Sequence, residues 1–262
     1  AYLKLLRPKD WAKNLFLFVP LFFSGEIFNF AKLTSITEGV VAFCCIASSI
    51  YVFNDYADIE SDKKHPQKRY RPLASGEAKV PVALAIAILL FFIGFFIAYT
   101  IGNPFFSLLG IYFFLNIAYS FGLKHIPILD IFIIAIGFSL RIRSGGAVAG
   151  VSVTIWMNIM VFLLALFMAA GKRRDDVLLT ISSGVNMRKA IEGYTMDFLN
   201  ILLALISAVM IVSYFMYTVS DRVIERQGTH RLYLTSLFVM AGVMRYLQII
   251  YVHSDAGSPT KI

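Results

Sequence analysis

Eight apolar runs partition this chain, near residues 15–30, 37–55, 81–101, 105–121, 128–148, 154–171, 195–219 and 232–252. A hydrocarbon core needs roughly 20 such residues in a helix, and inside it every backbone N–H and C=O must be satisfied within the segment. The pattern therefore predicts an all-α, polytopic transmembrane helical bundle. With 58% hydrophobic residues and a mean hydropathy of +0.74, the chain is too apolar for an ordinary soluble domain. No repeat and no Gly-, Ser- or Pro-rich linker divides it, so residues 1–262 read as a single domain.

Cytoplasmic loops carry an excess of Lys and Arg, which orients the bundle. With the N-terminus taken as cytoplasmic, 17 of the 24 basic residues fall in inside segments and four in outside ones. Arg141, Arg143 and Arg245 lie within spans. An integral membrane protein is expected, with its large polar loops, 56–80 and 172–194, in the cytoplasm. No small-residue cleavage pattern follows the basic N-terminal segment, so the first span is expected to stay. The net charge of +8 is confined to short loops, which argues against a nucleic-acid partner and for membrane lipid and phosphate. Cys44 and Cys45, adjacent in an apolar run, read as small buried hydrophobes.

Chemistry is concentrated in YVFNDYADIESDKKHPQKRYRPLASG, from Tyr51 to Gly76. At helical periodicity Asn54, Asp55, Asp58 and Asp62 fall within an arc of about 100°, whereas Glu60 points away. A solvated helix end would explain one Asp; four oxygen-bearing residues at a membrane edge point instead to hard-cation ligands. Mg²⁺ typically takes one or two carboxylates, several waters and the phosphate oxygens of a substrate. Tyr51 lies one turn earlier on the same arc, where it could reach a phosphate or sugar oxygen or simply join an interfacial aromatic belt. The loop that follows carries Lys68, Arg69 and Arg71 between Pro66 and Pro72, a mixture of point charge and planar fork that suits several phosphates.

Other cations are expected at the same membrane face. Lys4, Arg7, Lys9 and Lys13 suit anionic headgroups, and Lys13, nearest the membrane, is the one best placed to reach a ligand. Tyr119 and Lys124 end the fourth span, and GKRRDD from Gly171 to Asp176 ends the sixth. Within it Lys172 and Asp176 are spaced as a helical ion pair, worth only about 0.3–0.5 kcal/mol. Arg141 is expensive in a membrane, by about 2.5–3.5 kcal/mol on insertion scales, and is expected to face a polar cavity.

These motifs resemble the UbiA superfamily of intramembrane prenyltransferases, whose first motif N-D-x-x-D-x-x-x-D is matched from Asn54 to Asp62. LRPKDWAKN, HPQKRYRPLASG, YSFGLK and GKRRDD are most similar to its decaprenyl-phosphate phosphoribosyltransferase branch. The resemblance implies nine helices around a lipid-open cavity, of which eight spans are found and a ninth is missing. It implies transfer of phosphoribosyl from 5-phosphoribose 1-diphosphate to a polyprenyl phosphate, toward envelope arabinan. Mg²⁺ would be held among Asn54, Asp55, Asp58 and Asp62. Asp55, Asp58, Lys124 and Arg141 are then the catalytic candidates. Lys13, Tyr51, Lys68, Arg69, Arg71, Tyr119, Lys172, Arg173 and Asp176 are the candidates for binding substrate. The rival readings are an aromatic prenyltransferase, which would want a second acidic motif where GKRRDD stands, and a lipid or ion transporter. Oligomeric state is left open, a homo-oligomer included.

Overall fold

In the computed structural model, residues 1–64, 68–183 and 193–252 are described. Seven helices among them are long and apolar enough to cross a membrane: α3 (Phe30–Ala57), α5 (Val80–Ile101), α6 (Asn103–Phe121), α7 (Leu129–Ala149), α8 (Ile155–Ser183), α9 (Met196–Thr218) and α11 (Thr235–Val252), the last with the short turn that precedes it. Between them lie the short helices α1 (Tyr2–Leu5), α2 (Val19–Phe23), α4 (Ile59–Lys64) and α10 (Asp221–Gln227), and no strand occurs among the described residues.

Seven of the eight expected spans thus form single helices, and the first does not. Residues 8–18 wind as a 3-10 segment, α2 stops at Phe23, and Gly25 turns the chain with φ +81°. Pro20 is one physical reason, since its ring crowds the carbonyl four residues back and removes a helical hydrogen bond. Polar anchors are another: Trp11 Nε1 donates to Ser48 Oγ at 3.0 Å, and Asn14, fully buried, donates to Cys44 Sγ at 3.2 Å. The segment is pinned flat against α3. Farther on, α3 begins earlier than expected because Asn29 caps it, accepting from the Lys32 N–H at 3.3 Å.

The chain forms two compact units, Ala1–Lys124 with Ile136–Val153, and His125–Ala135 with Thr154–Ile262. In the first, α3 packs on α5, α6 and the 3-10 segment around Leu17, Ile36, Phe43, Ile46, Phe105 and Leu109. Phe92, Phe96 and Phe114 are exposed on α5 and α6, as lipid-facing side chains are. In the second unit α9 packs on α8 and α11, with Phe167 and Tyr246 ring centroids 5.0 Å apart.

Gly145 shows how tightly the first unit is built. A Cβ there would collide with the Leu17 carbonyl, a backbone group that cannot rotate away. Gly145→Ala is expected to destabilise the protein by about 1–3 kcal/mol. Thermal unfolding in detergent checks this; an unchanged midpoint would contradict the close approach.

Candidate active site

The acidic face spans a joint. Helix α3 closes at Ala57, Asp58 takes the cap position with φ −95° and ψ 5°, and α4 starts at Ile59. Stacking survives the joint because the Asp58 N–H donates to the Asn54 carbonyl at 3.0 Å and the Asp62 N–H to the Asp58 carbonyl at 2.8 Å. The side chains nevertheless separate into two pairs. Lys124 Nζ donates to Asn54 Oδ1 at 3.4 Å and to both Asp58 oxygens at 2.8 and 2.9 Å. Arg71 Nη1 donates to Asp55 at 3.0 Å and Asp62 at 2.7 Å, and Arg7 Nη2 donates to Asp55 at 2.5 Å.

The four residues expected as one donor set are thus divided between different cations. Asp55 and Asp62, each only 3% exposed, are committed to arginines and do not converge with Asn54 and Asp58. No group of three or more His, Cys, Asp and Glu among the described residues is arranged to hold a metal ion. Local packing explains the division. Leu5, two residues before Arg7, and Leu73, two after Arg71, are buried in one small apolar cluster with Val52 of α3 and Ala78. That cluster docks both arginines over the end of α3. Arg7 meets the geometry at a backbone cost, lying in the left-handed region with φ 50° directly before Pro8.

Lys124 arrives by a different route. Helix α6 ends at Phe121, Gly122 caps it by donating to the Ala118 and Tyr119 carbonyls, and the single 3-10 turn Leu123–His125 presents the lysine. Tyr119 sits half-buried in the last turn of α6. Tyr51 lies under the Arg7 guanidinium, 5.0 Å from its ring centroid. Lys68 opens the short turn Lys68–Tyr70, which packs on α4; exposed Arg69 donates to the Tyr70 hydroxyl at 2.6 Å and stacks on its ring. Lys13 pairs with Asp10 at 2.6 Å and is half-exposed, as a headgroup anchor would be.

Arg141 was expected to face a polar cavity, and instead is only 6% exposed and enclosed by protein. It donates to Asn14 Oδ1 at 3.0 Å, the Gly137 carbonyl at 3.1 Å and the Tyr112 hydroxyl at 2.8 Å, with its guanidinium 4.8 Å from the Tyr112 ring centroid and 5.3 Å from that of Phe138. Three hydrogen-bond acceptors and two aromatic rings satisfy an intramembrane charge, with no acid among its described partners.

In the second unit the substrate-binding candidates Arg173 and Asp176 pair with each other. Arg173, 2% exposed, donates through Nε to Asp130 at 2.5 Å and through Nη1 to Asp176 at 2.9 Å. Asp176 thus pairs with Arg173, three residues back, and Lys172 is exposed on α8. Tyr194 completes the network, donating to Asp130 at 2.6 Å and accepting from the Ile128 N–H at 2.6 Å. Burial, then donation to Asp130, pushes its phenol above the ordinary range. Ile128, β-branched, is held at φ 70°.

Sequence alone does not single out three of these residues: Arg7, which reads as a headgroup anchor, and Asp130 and Tyr194. Asp130 left a trace, because a carboxylate at a span's end needs a cation.

The model of the UbiA prenyltransferase family matches residues 15–175, well over half of the 262-residue chain and all of its acidic face. The chain belongs to the UbiA prenyltransferase family. With seven span-length helices, this UbiA protein is an integral membrane protein. The decaprenyl-phosphate phosphoribosyltransferase of Corynebacterium glutamicum is 38% identical over 216 residues, covering 81% of this chain and 65% of the relative, just under two thirds of its length. That of Mycolicibacterium smegmatis is 36% identical over 222 residues, covering 83% of this chain and 70% of the relative. The fold is similar to that of a UbiA homologue from Archaeoglobus fulgidus bound to DMAPP and Mg²⁺, with a TM-score of 0.77 and 20% identity, over the whole of this chain and 92% of the other.

Proposed function

We propose that this UbiA protein transfers the 5-phosphoribosyl group of 5-phosphoribose 1-diphosphate to the phosphate of a polyprenyl phosphate of the decaprenyl type, releasing diphosphate. The observation that carries the reading is Lys124 held between Asn54 and Asp58, because two hard oxygen donors there already converge on one cation. The choice of phosphoribosyl donor rests on the names of the relatives in Corynebacterium and Mycolicibacterium.

The donor set suits Mg²⁺: an amide oxygen and a carboxylate, with room in its coordination for waters and diphosphate oxygens. The metal bound to the Archaeoglobus homologue supports its use here. Asn54 and Asp58 would hold it, and when bound it would supply charge neutralisation for the departing diphosphate. In the reaction the bond from C1 to diphosphate oxygen breaks, C1 passes through an oxocarbenium-like state, and a lipid phosphate oxygen forms the new bond. The lipid phosphate is already anionic, so no general base is required. The protein's work is positioning and electrostatics. Lys124 lies beside the metal donors, and Lys68 and Arg69, in the short turn that packs on α4, would add positive charge for the donor's phosphates. Asp55 and Asp62 act through the arginines they hold, by fixing the loop after α4. The distribution of Lys and Arg supports a cytoplasmic site in a bacterial inner membrane. The product would be a lipid-linked pentose for envelope arabinan.

Purified protein incubated with labelled 5-phosphoribose 1-diphosphate, decaprenyl phosphate and Mg²⁺ is expected to yield labelled lipid and one equivalent of diphosphate. Absence of labelled lipid from a folded sample would overturn the proposal. Alkylation of an aromatic acceptor by a polyprenyl diphosphate would favour the prenyltransferase rival; flux in proteoliposomes without covalent product would favour a transporter.

A further inference from the structure

We infer that Lys124 makes metal binding at Asn54 and Asp58 conditional on the anionic donor, an inference that rests on the reading of those two residues as the Mg²⁺ ligands. Its ammonium is within hydrogen-bonding distance of all three of their side-chain oxygens. A divalent ion binds such oxygens at about 2.0–2.1 Å and cannot share them with an ammonium at hydrogen-bond distance. Repulsion between the two cations adds to the conflict. The lysine must therefore leave when the metal arrives.

It cannot leave without a partner, because Lys124 is only 16% exposed and an unpaired, largely buried ammonium is costly. The other carboxylates at the end of α3 and on α4 are already paired. Asp55 and Asp62 are held by Arg7 and Arg71, and Glu60 pairs with Lys63 at 2.7 Å. The anion that receives Lys124 is then the diphosphate of the donor. Metal and diphosphate consequently bind with positive coupling, and by linkage each strengthens the other to the same extent. A lone metal ion is rejected, which keeps the site from filling with metal before substrate.

The test uses Mn²⁺ alone as the probe, with bound and free ion separated by electron paramagnetic resonance on the purified protein in detergent. Lys124→Gln is expected to bind Mn²⁺ about tenfold tighter than the parent, the size of one lost charge-assisted hydrogen bond, while Lys124→Arg stays close to the parent. Labelled inorganic diphosphate should bind Lys124→Gln more weakly, with less enhancement by Mn²⁺. If Lys124→Gln does not fold, judged by thermal unfolding, Lys124→Met serves in its place. Unchanged or weaker Mn²⁺ binding by Lys124→Gln, or by Lys124→Met in its place, would overturn the inference, while a loss of Mn²⁺ binding in Asp58→Asn would leave the metal reading standing. Mn²⁺ binding that ignores Asp58→Asn, alone and combined with Lys124→Gln, would overturn both.

Discussion

Asp58→Ala is expected to lower phosphoribosyl transfer at least about a thousandfold, the equivalent of some 4 kcal/mol of transition-state stabilisation. Both Asp58 oxygens face Lys124, and the residue sits at the joint between α3 and α4, where its carboxylate and the Asn54 amide meet one cation. Alanine removes the one negative charge of that pair. Donor affinity measured in Mg²⁺ should fall with turnover, because the charge that couples protein to diphosphate is gone. Asp62→Ala provides the contrast: its carboxylate answers to Arg71, so its loss should loosen the loop and cost far less activity. Full activity in Asp58→Ala would refute the assignment of the metal ligands.

Arg173→Ala is the second large effect, on stability rather than chemistry. Asp130 is fully buried, and removing its guanidinium partner leaves a carboxylate whose remaining side-chain partner among the described residues is the Tyr194 hydroxyl. Breaking one side of a buried pair typically costs about 3–5 kcal/mol, whereas replacing both partners by apolar groups is often nearly neutral. The midpoint of thermal unfolding in detergent should therefore drop steeply in Arg173→Ala and recover much of the way in Arg173→Met with Asp130→Leu. A phosphate-binding Arg173 would behave in the opposite manner, with a normal midpoint and weakened substrate affinity. The double variant separates the two roles, because it restores the fold and not a lost ligand.

Seven of the transmembrane helices were legible because lipid imposes one rule on every span, a long apolar run with its backbone bonds closed internally. The first run obeyed the composition rule and broke the structural one, since Pro20 and the anchoring of Trp11 and Asn14 are local exceptions that hydropathy averages away. The acidic face was legible for a similar reason. Helical periodicity carries Asn54, Asp58 and Asp62 onto one side, and two backbone hydrogen bonds preserve that periodicity across the joint.

Which cation answers each acid was not legible. Arg7 and Asp55 are 48 residues apart, Lys124 and Asp58 are 66 apart, and Arg173 and Asp130 are 43 apart. At such separations no spacing rule pairs charges. Arg7 looked like any headgroup anchor until Leu5 and Leu73 were seen to pack in one cluster beneath it.

Local rules, then, set the membrane helices, the composition of the acidic face and the chemistry it is suited to, because periodicity and hydropathy act within a few turns of one segment. Long-range packing divided that face into an arginine-clamped half, Asp55 with Asp62, and a half bridged by Lys124, Asn54 with Asp58. It also buried Arg141 and Arg173 against protein partners distant in sequence. The physical reason is that a charge removed from water must be answered by whatever partner the fold brings within about 3 Å, and only the folded chain settles which one that is.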